Sequence, residues 1–488
     1  MSPQLILFSF IGYTIFLFSI SWITSRKANN ESFFIGNKVS PWYVVAYGMI
    51  GASLSGVTFI SIPGVVGSTK FSYLVIVLGY LVGYFVIANV LLPIYYKLNL
   101  TSIYSYLLER FGLKSYKTGA SFFLLSRIIG ASFRMFLVVN VLQYFVLDKF
   151  GVPFAVTVFL FVGLILLYTW KGGIKTIVWT DMLQTTFMLL AVVISLFLIS
   201  SQLGKSIPEL YKTIKDANYT QMFFFDWRDK YFFAKQFVSG AFIAIVMTGL
   251  DQDMMQKNLS CKNLPEAKKN IYWMSWALVP VNFIFLTLGA FLSYYAQVKG
   301  ITIIGTSDNL FPEIALNYLG NFAGIVFIIG LIAAAYSSAD SALTALTTSF
   351  TIDIIGIERK DKLSDYQKTS IRKTSHLGMA FVLILVIIGY ELINDQAIIT
   401  KLFTIAGYTY GPLLGLFSFG IFLNRQVKDK WVPFIAVLSP LLSYLIQVYS
   451  PQLLNGYQFG FELLIINGLL MFIGLLLVSK EKQNNIEE

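Results

Sequence analysis

Cysteine and histidine are almost missing from this chain of 488 residues: Cys261 and His376 each stand alone. A lone cysteine excludes disulfide frameworks and cysteine-rich metal sites. With a single histidine and no HExxH run, no nucleophile–base or zinc-ligand constellation is available, so an enzyme is not expected. His376 follows Arg372 and Lys373 at a helix start and is expected at a solvated or interfacial edge. Charge is scarce too, at 12% of residues, about half the share usual in soluble proteins. The net charge of +11 therefore fits basic loops at one membrane face, not nucleic-acid binding.

What the chain does have is apolar sequence, 56% of it, in runs that recur from end to end. Thirteen spans fit, near 4–24, 42–66, 71–96, 118–146, 153–170, 176–201, 232–250, 270–296, 322–349, 374–394, 398–423, 431–449 and 458–479. The fold class is an all-α polytopic membrane protein, one domain over 1–488, with a short tail at 480–488 expected to be disordered. The first span lacks a basic leader and a small-residue cleavage site, and is expected to be retained. Arg26/Lys27, Lys114/Lys117, Lys171/Lys175, Lys268/Lys269, Arg359–Arg372 and Arg425–Lys430 all fall in alternate loops. The positive-inside rule then predicts a plasma-membrane protein with its N-terminus outside and its C-terminus in the cytoplasm. Leu100–Phe111 is predicted to be an interfacial helix capped by Thr101 or Ser102, and Asp308–Tyr318 a short external helix over a vestibule.

One polar stripe organises the rest. On a helix, Ser337, Asp340, Ser341, Thr344 and Thr348 of the run Ala333–Ser349 share one narrow face, with Ser338 at its border. A central Asp costs about 2.5–3.5 kcal/mol on membrane-insertion scales. Two readings fit the hydroxyls: bonding back to their own helix carbonyls, or, with Asp340, an oxygen-lined seat for a hard cation. In the second span, Met49–Gly64 carries Gly51, Gly56 and Gly64, four hydroxyl side chains and Pro63. Such a run either packs closely or breaks its helix and frees carbonyls near Gly51. The seventh span holds a similar Ser/Gly-bounded run, Ser239–Gly249, five helices later; paired interruptions at that spacing hint at a five-plus-five inverted repeat. In the fourth span Arg127 and Arg134 lie seven apart on one face, with Gly130 and Ala131 between them. Each either snorkels, pairs with an acid or meets an anionic substrate. Asp181, near a loop, is by itself consistent with a cap.

Five separated segments together resemble the sodium/solute symporter family, which contains the sodium/glucose, proline and sialic acid cotransporters. They are Ser53–Gly64 (SLSGVTFISIPG), Leu100–Gly112, Tyr168–Gln184 (YTWKGGIKTIVWTDMLQ), the loop Asp251–Asn263 and Ala333–Ile354. The resemblance implies a leucine-transporter-like core of ten helices at about 42–423 in two inverted halves, one extra helix at 4–24 and two at 431–479. It implies a shared sodium site at Gly51, Leu54, Ala334, Ser337 and Ser338, and a second sodium at Asp181, Ser337, Asp340 and Ser341. Asp340 departs from the sialic acid branch, which has a hydroxyl there. Ser53, Ser55, Thr58 and either Arg127 or Arg134 are the implied substrate contacts. The branch's second-core-helix glutamine has no counterpart in Leu74–Phe85. The expected protein is a monomeric, sodium-coupled importer of a small polar solute such as a sugar or sialic acid, working by alternating access in the lipid bilayer. A proton-coupled transporter using Asp340 or Asp181 as carrier is the alternative.

Overall fold

The computed structural model describes residues 2–25, 29–170, 172–360, 362–392 and 398–481. Arg26, Lys27 and Lys171 of the charge pattern, and the tail beyond Glu481, lie outside the described residues. Among the described residues, ten helices are long and apolar enough to cross a membrane, and a bent pair, Phe233–Gly249 with Gln252–Leu259, makes an eleventh when counted as one span. The shorter apolar helices Phe154–Thr169 and Leu463–Leu477 lie where the other two of the thirteen expected spans fall.

Of the two readings of the second span, the break is the one observed, and the seventh span is interrupted too. The second span, Trp42–Thr69, breaks at Ser55, whose φ of 58° and ψ of 178° take one residue out of the helix. At such a break some carbonyls of the turn before it lose their usual N–H partners. The seventh span bends by 65° between its two arms. Its second arm is a correction to the sequence reading, which took Asp251–Asn263 as a loop. Asp251 caps the turn, accepting from the backbone N–H of Asp253 (2.9 Å) and Met254 (3.3 Å). Every residue of Gln252–Leu259 is buried despite the polarity of the run.

Four smaller expectations also need correcting or narrowing. The helix expected from Leu100 begins only at Ser105, and neither Thr101 nor Ser102 caps it. Part of the expected disordered tail is a strand: Ser479–Glu481 pairs antiparallel with Arg425–Val427. His376 is buried, not interfacial, held by the hydroxyls of Thr169 (2.9 Å) and Thr347 (2.7 Å) on neighbouring spans. The expected helix over Asp308–Tyr318 is an α-helical turn, Leu310–Glu313, running directly into the π-helical Ile314–Tyr318. The turn before it lies over two span ends: an added Cβ on Gly64 would sit 2.3 Å from the Ser307 carbonyl, and Asp308 accepts from the Ile398 N–H at 2.9 Å.

The third span, Tyr73–Lys97, and the first arm of the seventh meet backbone to backbone. A Cβ on Gly79 would come 2.0 Å from the Phe237 carbonyl, and one on Gly240 would come 2.1 Å from the Ile76 carbonyl. Small residues allow this approach because no side chain stands between the helices. Gly79→Ala is expected to destabilise the purified protein by about 1–3 kcal/mol, seen as a lower unfolding temperature in detergent. Gly12→Ala, where nothing lies within 4 Å, should leave that temperature unchanged.

Candidate functional site

The two broken spans face each other across a cavity with about 710 Å³ of empty space, counting its mouth. Its wall includes Ser53, Ser55 and Thr58 from the first break and Thr248 from the second. Tyr73, Tyr80 and Tyr84 line it from the third span, Arg127 and Arg134 from the fourth, Asn282 from the eighth and Phe403 from the eleventh. The Tyr84 hydroxyl lies against Ser53 and Thr248, joining the two breaks. Among the described residues, no Asp or Glu belongs to the lining. Tyr73 and Phe403 stack at 6.4 Å, with the rings tilted by 24°, and both also line a second cavity of about 1030 Å³ nearer Lys230 and Phe461.

The two arginines have different surroundings. Arg127 pairs with Asp253 through Nη2 and lies 3.7 Å from Asp251 through Nη1. Asp251 also accepts from the Tyr410 hydroxyl. Arg134 is equally buried, yet among the described residues no carboxylate lies within ion-pair distance of it, and its Nε has no hydrogen-bond partner.

Beyond the first break, the polar stripe of the ninth span (Asn321–Arg359) packs on the sixth span, Ile174–Gln202, and on the second arm of the seventh. Ser337 donates to Asp181 at 2.7 Å, Ser341 to Asp253 at 3.2 Å, and Gln256 to Thr348 at 2.9 Å. Lys257, 1% exposed, places its ammonium 2.7 Å from the other Asp181 oxygen. The back-bonding reading of the hydroxyls is realised, because many of them also bond to carbonyls of their own helix. Ser338 reaches the Ala334 carbonyl at 3.2 Å and Ser341 the Ser337 carbonyl at 3.0 Å. Asp340 accepts from the Ser341 backbone N–H and lies against the Tyr168 hydroxyl, while among the described residues its Oδ2 has no closer hydrogen-bond partner.

The sodium:solute symporter profile matches residues 33–429. The chain belongs to the sodium:solute symporter family. Like that family, it is a multi-pass membrane transporter coupling a small organic solute to sodium, and not an enzyme. The sodium/sialic acid symporter NanT of Aliivibrio fischeri is 26% identical over 98% of this chain and 93% of that protein. The sodium-coupled monocarboxylate transporter 2 of Danio rerio is 26% identical over 81% of this chain and 63% of that one. A solved structure, the substrate-bound outward-open state of a Na+-coupled sialic acid symporter, has a TM-score of 0.82 to this chain. It covers 98% of this symporter and 99% of that chain at 22% identity. The fold is the leucine-transporter-like arrangement, with the two broken helices at matching places in its halves.

The residues expected from sequence gather on adjoining helices of this symporter. Gly51 and Leu54 lie on the second span, and Ala334, Ser337 and Ser338 on the ninth, which packs against it. Gly51 rests on Thr185, one turn from Asp181, so the sixth span joins the two sets. Ser53, Ser55, Thr58, Arg127 and Arg134 all line the cavity. Asp251, Asp253, Gln256, Lys257, Tyr410 and Asn282 were not anticipated. One signal was present: Asp253, Gln256 and Lys257 fall at i, i+3 and i+4, the spacing of one helix face.

Removing one partner of a buried ion pair is far more damaging than removing an unpaired residue. Arg127→Met should destabilise the symporter by about 3–5 kcal/mol, and Arg134→Met by much less. Thermal unfolding in detergent measures both, and equal losses would contradict the difference in pairing.

Proposed function

We propose that this symporter imports a small polar solute bearing a carboxylate, with Arg134 as the group that meets it. The observation that carries this reading is a buried guanidinium that, among the described residues, has no carboxylate within ion-pair distance and lines a cavity with no Asp or Glu in its wall. Guanidinium matches carboxylate geometry with two parallel N–H bonds. Arg127 sits beside it but is already matched by Asp253. The tyrosine hydroxyls, Ser53, Thr58, Thr248 and Asn282 supply neutral donors and acceptors for hydroxyl or amide groups elsewhere on the solute. Sialic acids and monocarboxylates, named for the relatives, share the carboxylate. Three tyrosines and no glutamine on the third-span wall set this cavity apart from the sialic acid pattern.

Sodium occupies the shared site in this reading, held by the carbonyls freed at Gly51 and Leu54, the Ala334 carbonyl and the hydroxyls of Ser337 and Ser338. Its binding draws the broken second span onto the ninth and so fixes the geometry of Ser53, Ser55 and Thr58 beside the solute. The Tyr73–Phe403 stack then separates the loaded cavity from the larger one, which serves as the outer vestibule. The symporter works as a monomer in the plasma membrane, its N-terminus outside and its basic loops in the cytoplasm.

Binding measured with and without sodium against a panel of sugars, sialic acids and amino acids should select solutes with a carboxylate. Arg134→Met is expected to weaken that binding by about two to three orders of magnitude, the cost of an unpaired buried charge. Ser338→Ala should raise the sodium concentration for half-maximal binding about tenfold, the loss of about 1.4 kcal/mol at one ligand. Uptake that follows pH and ignores sodium would overturn sodium coupling in favour of the proton alternative.

A further inference from the structure

A fixed cation already sits where a second sodium is implied. The four expected ligands are Asp181, Ser337, Asp340 and Ser341, and three of them are engaged. One Asp181 oxygen faces the Lys257 ammonium at 2.7 Å, and the other accepts from the Ser337 hydroxyl at 2.7 Å. The Ser341 hydroxyl is turned to Asp253, which belongs to the arginine pair. The Asp340 carboxylate lies against the Tyr168 hydroxyl, and among the described residues its Oδ2 has no closer hydrogen bond; Lys257 acts electrostatically on that carboxylate as well. Lys257 is carried by the second arm of the broken seventh span and is buried along its whole length. A buried carboxylate needs a counter-charge, and an ammonium on a four-carbon stem supplies one that cannot leave the protein.

We infer that the Lys257 ammonium takes the place of a second coupling sodium at Asp181, so that each cycle carries one sodium ion. The inference rests on the proposed use of the shared site at Gly51, Leu54, Ala334, Ser337 and Ser338. It makes the ion count a property of one residue on the seventh span.

Equilibrium binding of radioactive sodium to the purified full chain decides it. One ion per chain is expected in the wild type, and two in Lys257→Met, where Asp181 is released to bind the second. Asp181→Asn/Lys257→Met should return the count to one. A wild-type count of two overturns the inference while sodium coupling stands, and a drop to one on Asp340→Asn would then place the second ion at Asp340. A wild-type count of zero sinks the sodium site itself and the inference with it. A folded Lys257→Met that still binds one ion also overturns it. If Lys257→Met gives no folded protein, the double variant decides: one ion supports the inference. Zero would put the wild type's single ion at Asp181 and overturn it.

Discussion

Ionic charge inside a membrane protein has to be matched by opposite charge nearby, and this constraint shapes the centre of the molecule. Removing an ion from water costs several kcal/mol even after relaxation, so buried charges persist only with good partners. Here the partners come from different helices: Arg127 on the fourth span meets Asp251 and Asp253 on the seventh, and Lys257 on the seventh meets Asp181 on the sixth. The short arm Gln252–Leu259 carries the pivotal groups of both pairs. It has few apolar side chains to bury, and its place in the core depends on these ion pairs and on hydrogen bonds such as Gln256 to Thr348. With Arg127 so matched, Arg134 is the cavity's arginine that has no carboxylate within ion-pair distance among the described residues.

The sequence made the spans, the break in the second and the polar stripe of the ninth legible, because each depends on local composition. Hydropathy finds apolar helices whatever they pack against. The Gly51–Gly64 run is poor helix material in any surroundings. The second arm of the seventh span was hidden for a related reason: a polar run looks like a loop unless its partners are known. Asp251, Asp253 and Lys257 are acceptable inside the bundle only because Arg127 and Asp181 stand opposite, 124 and 76 positions away in the chain. The choice between Arg127 and Arg134 was likewise closed to the sequence, since their seven-residue spacing puts them on the same helix face and only pairing distinguishes them. His376 was misplaced because its basic neighbours suggested water, whereas two threonine hydroxyls from other spans hold it in the interior.

The glycine contacts between the third and seventh spans also bear on how this sequence can change with time. At Gly79, Gly83 and Gly240 the opposing surface is peptide backbone, which cannot step aside as a flexible side chain would. Gly289 meets the Pro63 carbonyl in the same way, tying the eighth span to the second. Drift is thus open at Gly12, Gly163 and Gly389, where an added methyl group would touch nothing, and closed along these seams. New solute preferences can arise by exchanging side chains around the cavity, one residue at a time, while the helices that carry them hold their spacing.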